Sequence, residues 1–522
     1  MGDVPDSQGG PVHISRIGES VRLRWLGAAG AAALGLASCR AGALPALRPV
    51  MHWFQPQPAL TLLAAALGYA GLVVLVCSWW RLGRLASSGA AGGPRQMLVT
   101  LCLWAAPLAL GAPLFSRDVY SYVAQGAMAA RGMDVYQAGP ALLGGPLSAA
   151  VPAMWQHTPA PYGPVFVWLA DHVVRLTGEH VVAAALGMRA VALLGLALIV
   201  WAVRNLARDL GVMEAGALWL AALNPLVLVH FVSGSHNDAL MVGLVLSGLV
   251  VARRGRPAWG AVVITLAMLV KAPAGLALLF LIPAPAAGLR AVARRAVTVV
   301  VSSAVTVLAA TLVLGYGLGW LSTLSTPVSG AGVLSLVSDV GRVLGAFTGG
   351  LGLVGGGTVM SLTRTAGMVL ALAAIGYWWT RTRAVGVERG LGLALLSLVV
   401  FAPAVQPWYF LWGALLLAVT AQGRTRTWLA AVSVGLLFAA FLDGQVADVS
   451  YAACGYAGAA LALATLYRLE RTPGRGWRFR LTPRTPAVRG ALPAGARGTV
   501  RVPRPRPSVL GDDAATARAE GG

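Results

Sequence analysis

An aspartate beside a long apolar run is the residue of this chain best suited to proton transfer. Asp118 follows an apolar run directly, within the segment SRDVYSY at 116–122. A carboxylate held at a helix end near a membrane surface can accept a proton from an attacking hydroxyl group, which is general-base chemistry. The structural alternative is an ion pair with Arg117 that only fixes the helix end. We therefore predict Asp118 as a general base.

A second polar group and two isolated cations point to an anionic ligand. His236, Asn237 and Asp238 occupy a tight turn between two apolar runs. Asn237 and Asp238 could cap the helix that follows, or His236 and Asn237 could hold a phosphate or hydroxyl group. Arg189 and Lys271, the single lysine, lie in apolar stretches where a cation needs an anionic partner. A lipid-linked phosphate is predicted as that partner.

Aromatic and polar side chains complete the candidate site. Five aromatic residues lie at or near predicted outer helix ends: Tyr120, Tyr122, Tyr136, Tyr162 and Trp408. Their rings could stack on sugar rings, and an aromatic belt at the membrane interface explains them equally well. Further candidate ligands for a phosphate or sugar are Arg117, Arg131, His157 and Gln406.

Composition indicates that membrane helices position these residues. The chain has 57% hydrophobic and 11% charged residues and a mean hydropathy of +0.73, whereas soluble domains carry about 25% charged residues. The formal net charge of +22 comes mainly from arginines clustered in alternate connectors. That placement is the positive-inside pattern, which orients a membrane protein and does not indicate nucleic-acid binding.

The apolar runs predict an all-α polytopic membrane protein with about 13–14 transmembrane helices. Candidate spans are 25–43, 58–79, 97–115, 181–203, 213–232, 236–252, 258–271, 273–286, 296–318, 360–380, 390–404, 408–420, 428–443 and 450–467. An even number of spans puts both termini in the cytoplasm. Residues 1–21 and 471–522 are predicted as disordered cytoplasmic ends of a membrane domain at 22–470.

Two long segments, 116–180 and 319–359, are predicted on the outer side of the membrane. The first contains an amphipathic stretch at 161–177, which is expected to form a helix along the interface. The second contains a short helical pattern around Asp339 and Arg342. Further along the outer face, Asp443 and Asp448 are interpreted as solvated loop charges.

Motifs of familiar soluble enzymes and of disulfide or zinc frameworks do not occur in the sequence. There is no glycine-rich phosphate loop with its lysine, no metalloprotease helix and no nucleophile elbow. The four cysteines show no paired spacing: Cys39, Cys77, Cys102 and Cys454. An ATP-driven pump and a zinc protease are therefore disfavoured.

Several of these motifs together resemble one family of membrane enzymes. It is the polyprenyl-phosphate-mannose-dependent α(1→6)-mannosyltransferases of actinobacterial lipoglycan synthesis, within the C-type (GT-C) fold of membrane glycosyltransferases. The resemblance spans about residues 100–465. It rests on segments SRDVYSY at 116–122, GMDVY at 132–136, TPAPYGP at 158–164, HND at 236–238, KAP at 271–273 and QPWY at 406–409.

The resemblance implies an inverting transfer of mannose from a β-linked polyprenyl phosphate to a lipid-anchored mannan acceptor. The new linkage would be α(1→6), as in lipomannan synthesis, and Asp118 takes the general-base position by motif match. Relatives of this fold often carry a second acidic residue beside the first, whereas Arg117 stands there in this chain. No cofactor is assigned, and the participation of a divalent cation is left open.

The predicted topology agrees with a lipid-linked donor. Nucleotide sugars are cytoplasmic, so an active site on the outer face of the plasma membrane requires a sugar carried across on a lipid. Histidines and arginines at that face can hold the donor phosphate and stabilise its developing charge. The expected partners are thus the lipid donor, the mannan acceptor and the membrane itself.

A polytopic transporter or lipid-linked sugar flippase is the main alternative, because Arg189 and Lys271 would also suit a substrate pathway. Transporters often contain paired repeats with matching broken helices, and their polar residues collect near the middle of the membrane. The two halves of this chain show no such correspondence, and the polar residues collect at one face. A scaffold of a cell-envelope synthesis complex is a third alternative.

Overall fold

The computed structural model describes residues 11–45, 57–87, 89–282, 288–325, 335–439 and 441–444, with single positions at 457, 460 and 464. All regular secondary structure in these ranges is helical, as the predicted fold class requires. Asp448, the tail at 471–522 and nearly all of the predicted span 450–467 lie outside the described residues.

The helices are numbered here in chain order. The first half contains α1 (Pro11–Ala41), α2 (Pro58–Ser87), α3 (Pro94–Leu110), α4 (Asp118–Ala130), α5 (Gly145–Ala150), α6 (Ala153–Gln156), α7 (Pro164–Thr177), α8 (Val181–Asp209), α9 (Glu214–Leu220), α10 (Pro225–Val227) and α11 (Asp238–Arg253). The second half contains α12 (Pro257–Met268), α13 (Leu276–Leu281), α14 (Leu289–Leu314), α15 (Leu336–Gly350), α16 (Gly356–Thr380), α17 (Thr382–Val385), α18 (Val387–Val400), α19 (Phe410–Ala418) and α20 (Gly423–Leu437).

The helices long and apolar enough to cross a membrane are fewer than the predicted spans. Within the described residues, α2, α8, α14 and α16 pass that test alone, and the bent pair of α9 with the segment 225–233 makes up to five. Every predicted span before residue 450 overlaps a helix. Many of these helices are short because proline and glycine interrupt the apolar runs, for example at Pro273 and Pro407. The protein is a polytopic membrane protein.

Helix α1 begins earlier than the sequence analysis expected. Residues 11–21 were predicted as part of a disordered end, and they are the first turns of α1 instead. Arginine and glutamate have good helix propensity, so the helix extends through this polar stretch although it contains Gly18. The start of the membrane domain at residue 22 stays a prediction, because a helix end does not mark a membrane boundary.

The predicted amphipathic helix at 161–177 is confirmed as α7. Gly163 is its N-cap, and Pro164 occupies the first helical position, where its missing N–H costs nothing. Gly178 ends the helix in the left-handed conformation. The helical pattern around Asp339 and Arg342 is likewise confirmed as α15.

The apolar segment 214–233 is interrupted by a bend, and its second part leads to the candidate site. Helix α9 and the segment 225–233 are bent by 50° relative to each other. Asn224 caps α10 by accepting a hydrogen bond from the Leu226 N–H at 3.0 Å, and its amide donates to Ser433 Oγ at 2.8 Å. The chain then forms a π-helical turn, Leu228–Ser233. Such turns occur often at functional sites.

Helices α8 and α11 approach closely through two glycines. A Cβ built on Gly195 would lie 2.3 Å from the Leu240 backbone nitrogen, and one built on Gly243 would lie 2.6 Å from the Gly195 carbonyl oxygen. Small residues permit this backbone contact between membrane helices. The contact matters for the site because α8 carries Arg189 and α11 begins with Asp238.

We expect Gly195→Ala to destabilise the protein by about 1–3 kcal/mol, because the added methyl group forces the two helices apart. The measurement is thermal unfolding of the purified protein in detergent. Gly376→Ala in α16 is the matched control, since its Cβ would meet no atom within 4 Å and alanine favours helix over glycine. Equal midpoints for the two variants would contradict the close-packing argument.

Candidate active site

Asp118 is held at the amino end of α4 by its neighbours in the chain. Its backbone N–H donates to Ser116 Oγ at 3.1 Å. Phe115, just before, has a φ of 60°, and its N–H donates to the Leu442 carbonyl at 3.0 Å. A non-glycine residue in this left-handed region is strained by about 1–3 kcal/mol and often marks a functional site. The Asp118 side chain remains 21% exposed.

The Asp118 carboxylate faces a histidine from the turn before α11. Its Oδ2 lies 3.7 Å from His236 Nδ1. The same nitrogen lies 3.3 Å from the Tyr122 hydroxyl. Because His236 is fully buried and Asp118 is not, the carboxylate is the member of this pair that a substrate can reach.

Burial raises the pKa of the Asp118 carboxyl to about 6. The charge of Lys271 opposes this shift, as do hydrogen bonds from Ser116 and Trp155, whereas the negative charge of Asp238 adds to it. A carboxylate with a pKa near 6 is a stronger base than an ordinary aspartate and is still ionised at neutral pH. Asp118 therefore has the proton affinity that general-base work requires.

Lys271 has its anionic partner within the protein. Its Nζ donates to both carboxylate oxygens of Asp238 at 2.9 Å, and Asp238 Oδ1 also accepts from Trp412 Nε1 at 2.6 Å. The ammonium group lies 4.9 Å from the ring centre of Tyr409 and 5.5 Å from that of Trp412. Asp238 is fully buried and the Lys271 side chain is 12% exposed. The cation is thus neutralised in place and still reachable from one side.

Arg189 has a different environment from Lys271. Its guanidinium donates to the carbonyl oxygens of Ala109, Gly111 and Ser233 at 2.6–2.8 Å and to Ser235 Oγ at 3.1 Å. The residue is 3% exposed. Arg189 was predicted to bind the donor phosphate, and four of its donors are bonded to three backbone carbonyls and the Ser235 hydroxyl in the structure.

His230 forms an aromatic cluster with His236 and Trp408 beneath the candidate base. The Trp408 ring stacks on His236 at a centroid distance of 3.8 Å and lies 5.1 Å from the His230 ring. All three residues are buried. Both ring nitrogens of His230, Nε2 of His236 and Nε1 of Trp408 have no hydrogen-bond partner among the described residues.

Among the residues that the structure describes, Arg117 does not form the ion pair with Asp118 that was the structural alternative, and Asn237 does not cap α11 through its side chain. Arg117 donates to the Leu44 carbonyl at 2.8 Å and lies over the Tyr120 ring, so its described contacts do not include Asp118. Asn237 stands at the N-cap of α11 without a side-chain capping bond. Its buried amide has no partner within the described ranges, which leaves it available to a ligand that enters the site.

The five aromatic residues predicted to stack on sugar rings are covered by the protein. Tyr120 donates to the Ala43 carbonyl at 2.7 Å, and Tyr122 packs edge-on against Tyr162 and Phe166. Each of the five is less than 10% exposed: Tyr120, Tyr122, Tyr136, Tyr162 and Trp408. They form packed walls in the structure, and sugar stacking stays a prediction.

One predicted ligand, Arg131, lies apart from this centre, and two others are described only by their exposure. Arg131 ends α4, which has 13 residues, so it lies about 20 Å along the helix axis from Asp118. It forms a two-point ion pair with Glu179, with distances of 3.0 and 2.6 Å. His157 is exposed after α6, and Gln406 is half-buried two residues before Trp408.

A metal site is not evident in the part of the chain that the structure describes. There, no group of three or more histidine, cysteine, aspartate or glutamate residues is arranged to hold a metal ion. Beside Asp118, the Asp238 carboxylate that could contribute to a cation site is bound to the Lys271 ammonium group instead.

Sequence reasoning missed three members of the site. It treated Asp238 as a capping residue, and it did not select His230 or Trp412. The available signal was a histidine within an apolar run, six residues before His236, and a tryptophan one helical turn after Trp408. Neither of these two spacings predicts which other helix the His230 or Trp412 side chain contacts.

Comparisons with known proteins match most of the chain. A family model described as "Alpha-(1->6)-mannopyranosyltransferase, N-terminal domain" matches residues 24–287. A second model, described as "MptB C-terminal domain", matches residues 337–468. The two matched ranges leave out residues 288–336, and they include every residue of the candidate centre.

Individual relatives give the same result. Alpha-(1->6)-mannopyranosyltransferase A of Mycobacterium tuberculosis is 36% identical over 469 residues, which cover 86% of this chain and 90% of the relative. Alpha-(1->6)-mannopyranosyltransferase B of Corynebacterium glutamicum is 32% identical over 507 residues, which cover 87% of this chain and 83% of the relative.

The buried Lys271 and Asp238 pair generates a stability prediction. We expect Lys271→Gln to cost about 3–5 kcal/mol, because it leaves the Asp238 carboxylate buried without its counter-ion. Asp238→Asn should cost a similar amount. The double variant should lose less than the sum, with a coupling of about 0.5–3 kcal/mol. Chemical unfolding in detergent measures all three, and strictly additive losses would contradict direct pairing.

Proposed function

The chain belongs to the alpha-(1->6)-mannopyranosyltransferase family, and from that premise we propose an inverting mannosyl transfer with Asp118 as the general base. The donor is polyprenyl-phosphate-β-mannose and the acceptor is a lipid-anchored mannan of the lipomannan type. Family membership favours a mannosyltransferase over the transporter, flippase or scaffold alternatives.

One observation carries the proposal: a partly exposed carboxylate with a pKa near 6 is held next to a buried cation. Asp118 supplies the carboxylate, and Lys271 is close enough for its charge to act on Asp118. Glycosyl transfer from a phosphate needs both a proton acceptor for the attacking hydroxyl and a positive group for the leaving phosphate. The two groups are present together at one centre.

The proposed reaction proceeds in one displacement. Asp118 accepts the proton of the acceptor's 6-hydroxyl while that oxygen bonds to the anomeric carbon of mannose. The bond between that carbon and the donor phosphate oxygen breaks, and its electron pair leaves with the phosphate. Attack from the face opposite the phosphate converts the β-linkage into an α(1→6) linkage. Lys271 stabilises the charge that develops on the phosphate.

His236 and Asn237 are the proposed contacts of the mannosyl phosphate beyond Lys271. Their support is that the Asn237 amide and His236 Nε2 are buried without a partner among the described residues. A buried polar group without a hydrogen bond is destabilising, so a ligand that provides one gains affinity. Arg131, which is about 20 Å from Asp118 along α4, and the exposed His157 are proposed only as contacts of the acceptor chain.

We place the reaction at the outer face of the plasma membrane, with both termini in the cytoplasm. Support comes from the arginine distribution of the connectors and from the position of Asp118 directly after a predicted span. A donor on a lipid carrier can reach such a site from within the outer leaflet.

Asp118→Asn should lower turnover by about 10²-fold or more, because the amide cannot accept the proton. The assay uses membranes with normal abundance of the variant, synthetic polyprenyl phosphomannose and a short mannoside acceptor. Asp134→Asn is the matched control: Asp134 belongs to the same outer segment, and its carboxylate accepts the Tyr136 N–H at 2.8 Å. Turnover of Asp118→Asn equal to that of the control would rule out the base.

The pH profile provides a second test of the base. Because the carboxyl group must be ionised to accept a proton and its pKa is about 6, kcat/KM should be level above about pH 7. Below pH 6 it should fall about tenfold per pH unit. The titratable groups that interact with Asp118 are His236, Lys271, Asp238, Tyr122, Tyr162 and Tyr409. A profile that stays flat down to about pH 4.5, with the protein still folded, would contradict the assignment.

A further inference from the structure

Arg189 connects the two chain segments that lead into the catalytic centre. Its Nη1 donates to the Ala109 and Gly111 carbonyls at 2.8 and 2.6 Å, at the end of α3. Its Nη2 donates to the Ser233 carbonyl at 2.8 Å, and its Nε donates to Ser235 Oγ at 3.1 Å. The first segment continues to Asp118 and the second to the turn before α11.

Each segment contains a residue with a strained backbone conformation shortly before its residue of the candidate site, His236 or Asp118. Ser235 has a φ of 57° and immediately precedes His236, and Phe115 has a φ of 60° three residues before Asp118. Strained positions persist only where surrounding contacts fix them. Arg189 holds Ser235 directly, and Ser233 Oγ adds a hydrogen bond to the Ala112 carbonyl at 3.3 Å.

Resting on the proposed function, we infer that Arg189 is a positioning residue that fixes Asp118 against His236 and does not bind substrate. Four of its five N–H groups are occupied by the protein, and it is 3% exposed. A donor phosphate therefore meets Lys271, which is 12% exposed, before it could meet Arg189. The fork of the guanidinium suits this role because it spans several acceptors at once.

The two roles predict different kinetic signatures. A positioning residue that is lost should lower kcat and leave KM for the lipid donor nearly unchanged, because the reacting groups lose alignment. A phosphate ligand that is lost should raise KM for the donor. We expect Arg189→Gln and Arg189→Lys both to lower kcat by roughly 10²-fold, since lysine restores the charge without the fork.

A pH profile adds a readout that a general loss of stability would not change. If the two segments separate, water reaches Asp118 and its carboxyl becomes easier to ionise, so the acid limb of kcat/KM should move to lower pH. The titratable groups that interact with Asp118 are intact in these variants: His236, Lys271, Asp238, Tyr122, Tyr162 and Tyr409. Ser235→Ala removes only one of the hydrogen bonds of Arg189 and should give a smaller shift in the same direction.

Two reference variants complete the experiment. Arg253→Gln breaks a partly buried pair with Glu388, 3.0 Å in length, and should keep wild-type kcat, donor KM and acid limb in whatever fraction folds. Lys271→Gln should raise donor KM. All rates are referred to folded protein, measured by size-exclusion chromatography of the detergent-solubilised sample.

The outcomes separate this inference from the proposed function. Loss of kcat with an unchanged donor KM and a shifted acid limb supports positioning by Arg189. A raised donor KM with unchanged kcat in both Arg189 variants overturns it and restores a phosphate-binding role, while a dead Asp118→Asn still supports the base. Full activity of Asp118→Asn would instead overturn the proposed function.

Discussion

An ionised side chain inside a membrane domain persists only when its charge or its donors are matched in place, and this constraint shapes the centre of the molecule. Lys271 is matched by the Asp238 carboxylate, which Trp412 also holds. Arg189 is matched by carbonyl oxygens at the ends of two backbone segments. Lys271 therefore places a positive charge at the centre, and Arg189 holds two backbone segments together there.

The candidate site depends on helices that are interrupted at defined places. Three interruptions lie around one centre: the bend between α9 and the segment 225–233, the π-helical turn Leu228–Ser233 and the short extended segment after α3. Irregular backbone at membrane depth requires internal hydrogen-bond partners. Arg189 and Asn224 supply such partners, so the polar groups that break the helices also stabilise the breaks.

Much of the architecture is visible in the sequence, because each apolar run must bury itself in lipid or protein and each scarce polar residue must have a reason. The predicted spans up to residue 443 overlap helices, and Asp118, His236 and Lys271 meet at one centre as the polar pattern indicated. Pairing across helices is a tertiary property that one sequence does not contain. A lipid phosphate was therefore predicted as the anion beside Lys271, whereas the structure shows Lys271 paired with Asp238. Phe115 and Ser235 have left-handed backbone conformations, which the sequence does not indicate because neither residue is glycine.

The pairing of Lys271 with Asp238 also bears on the last stage of the proposed reaction, after the bond between mannose and the donor phosphate has broken. A phosphodiester carries one negative charge, whereas the phosphomonoester left behind carries up to two near neutral pH. Under the proposed function, the ammonium group attracts the released carrier phosphate more strongly than the mannose-loaded one, and Lys271 pairs with Asp238 again as the carrier leaves. Exchange of the Lys271 ammonium between Asp238 and the carrier phosphate would then link carrier release, and with it product inhibition, to this ion pair.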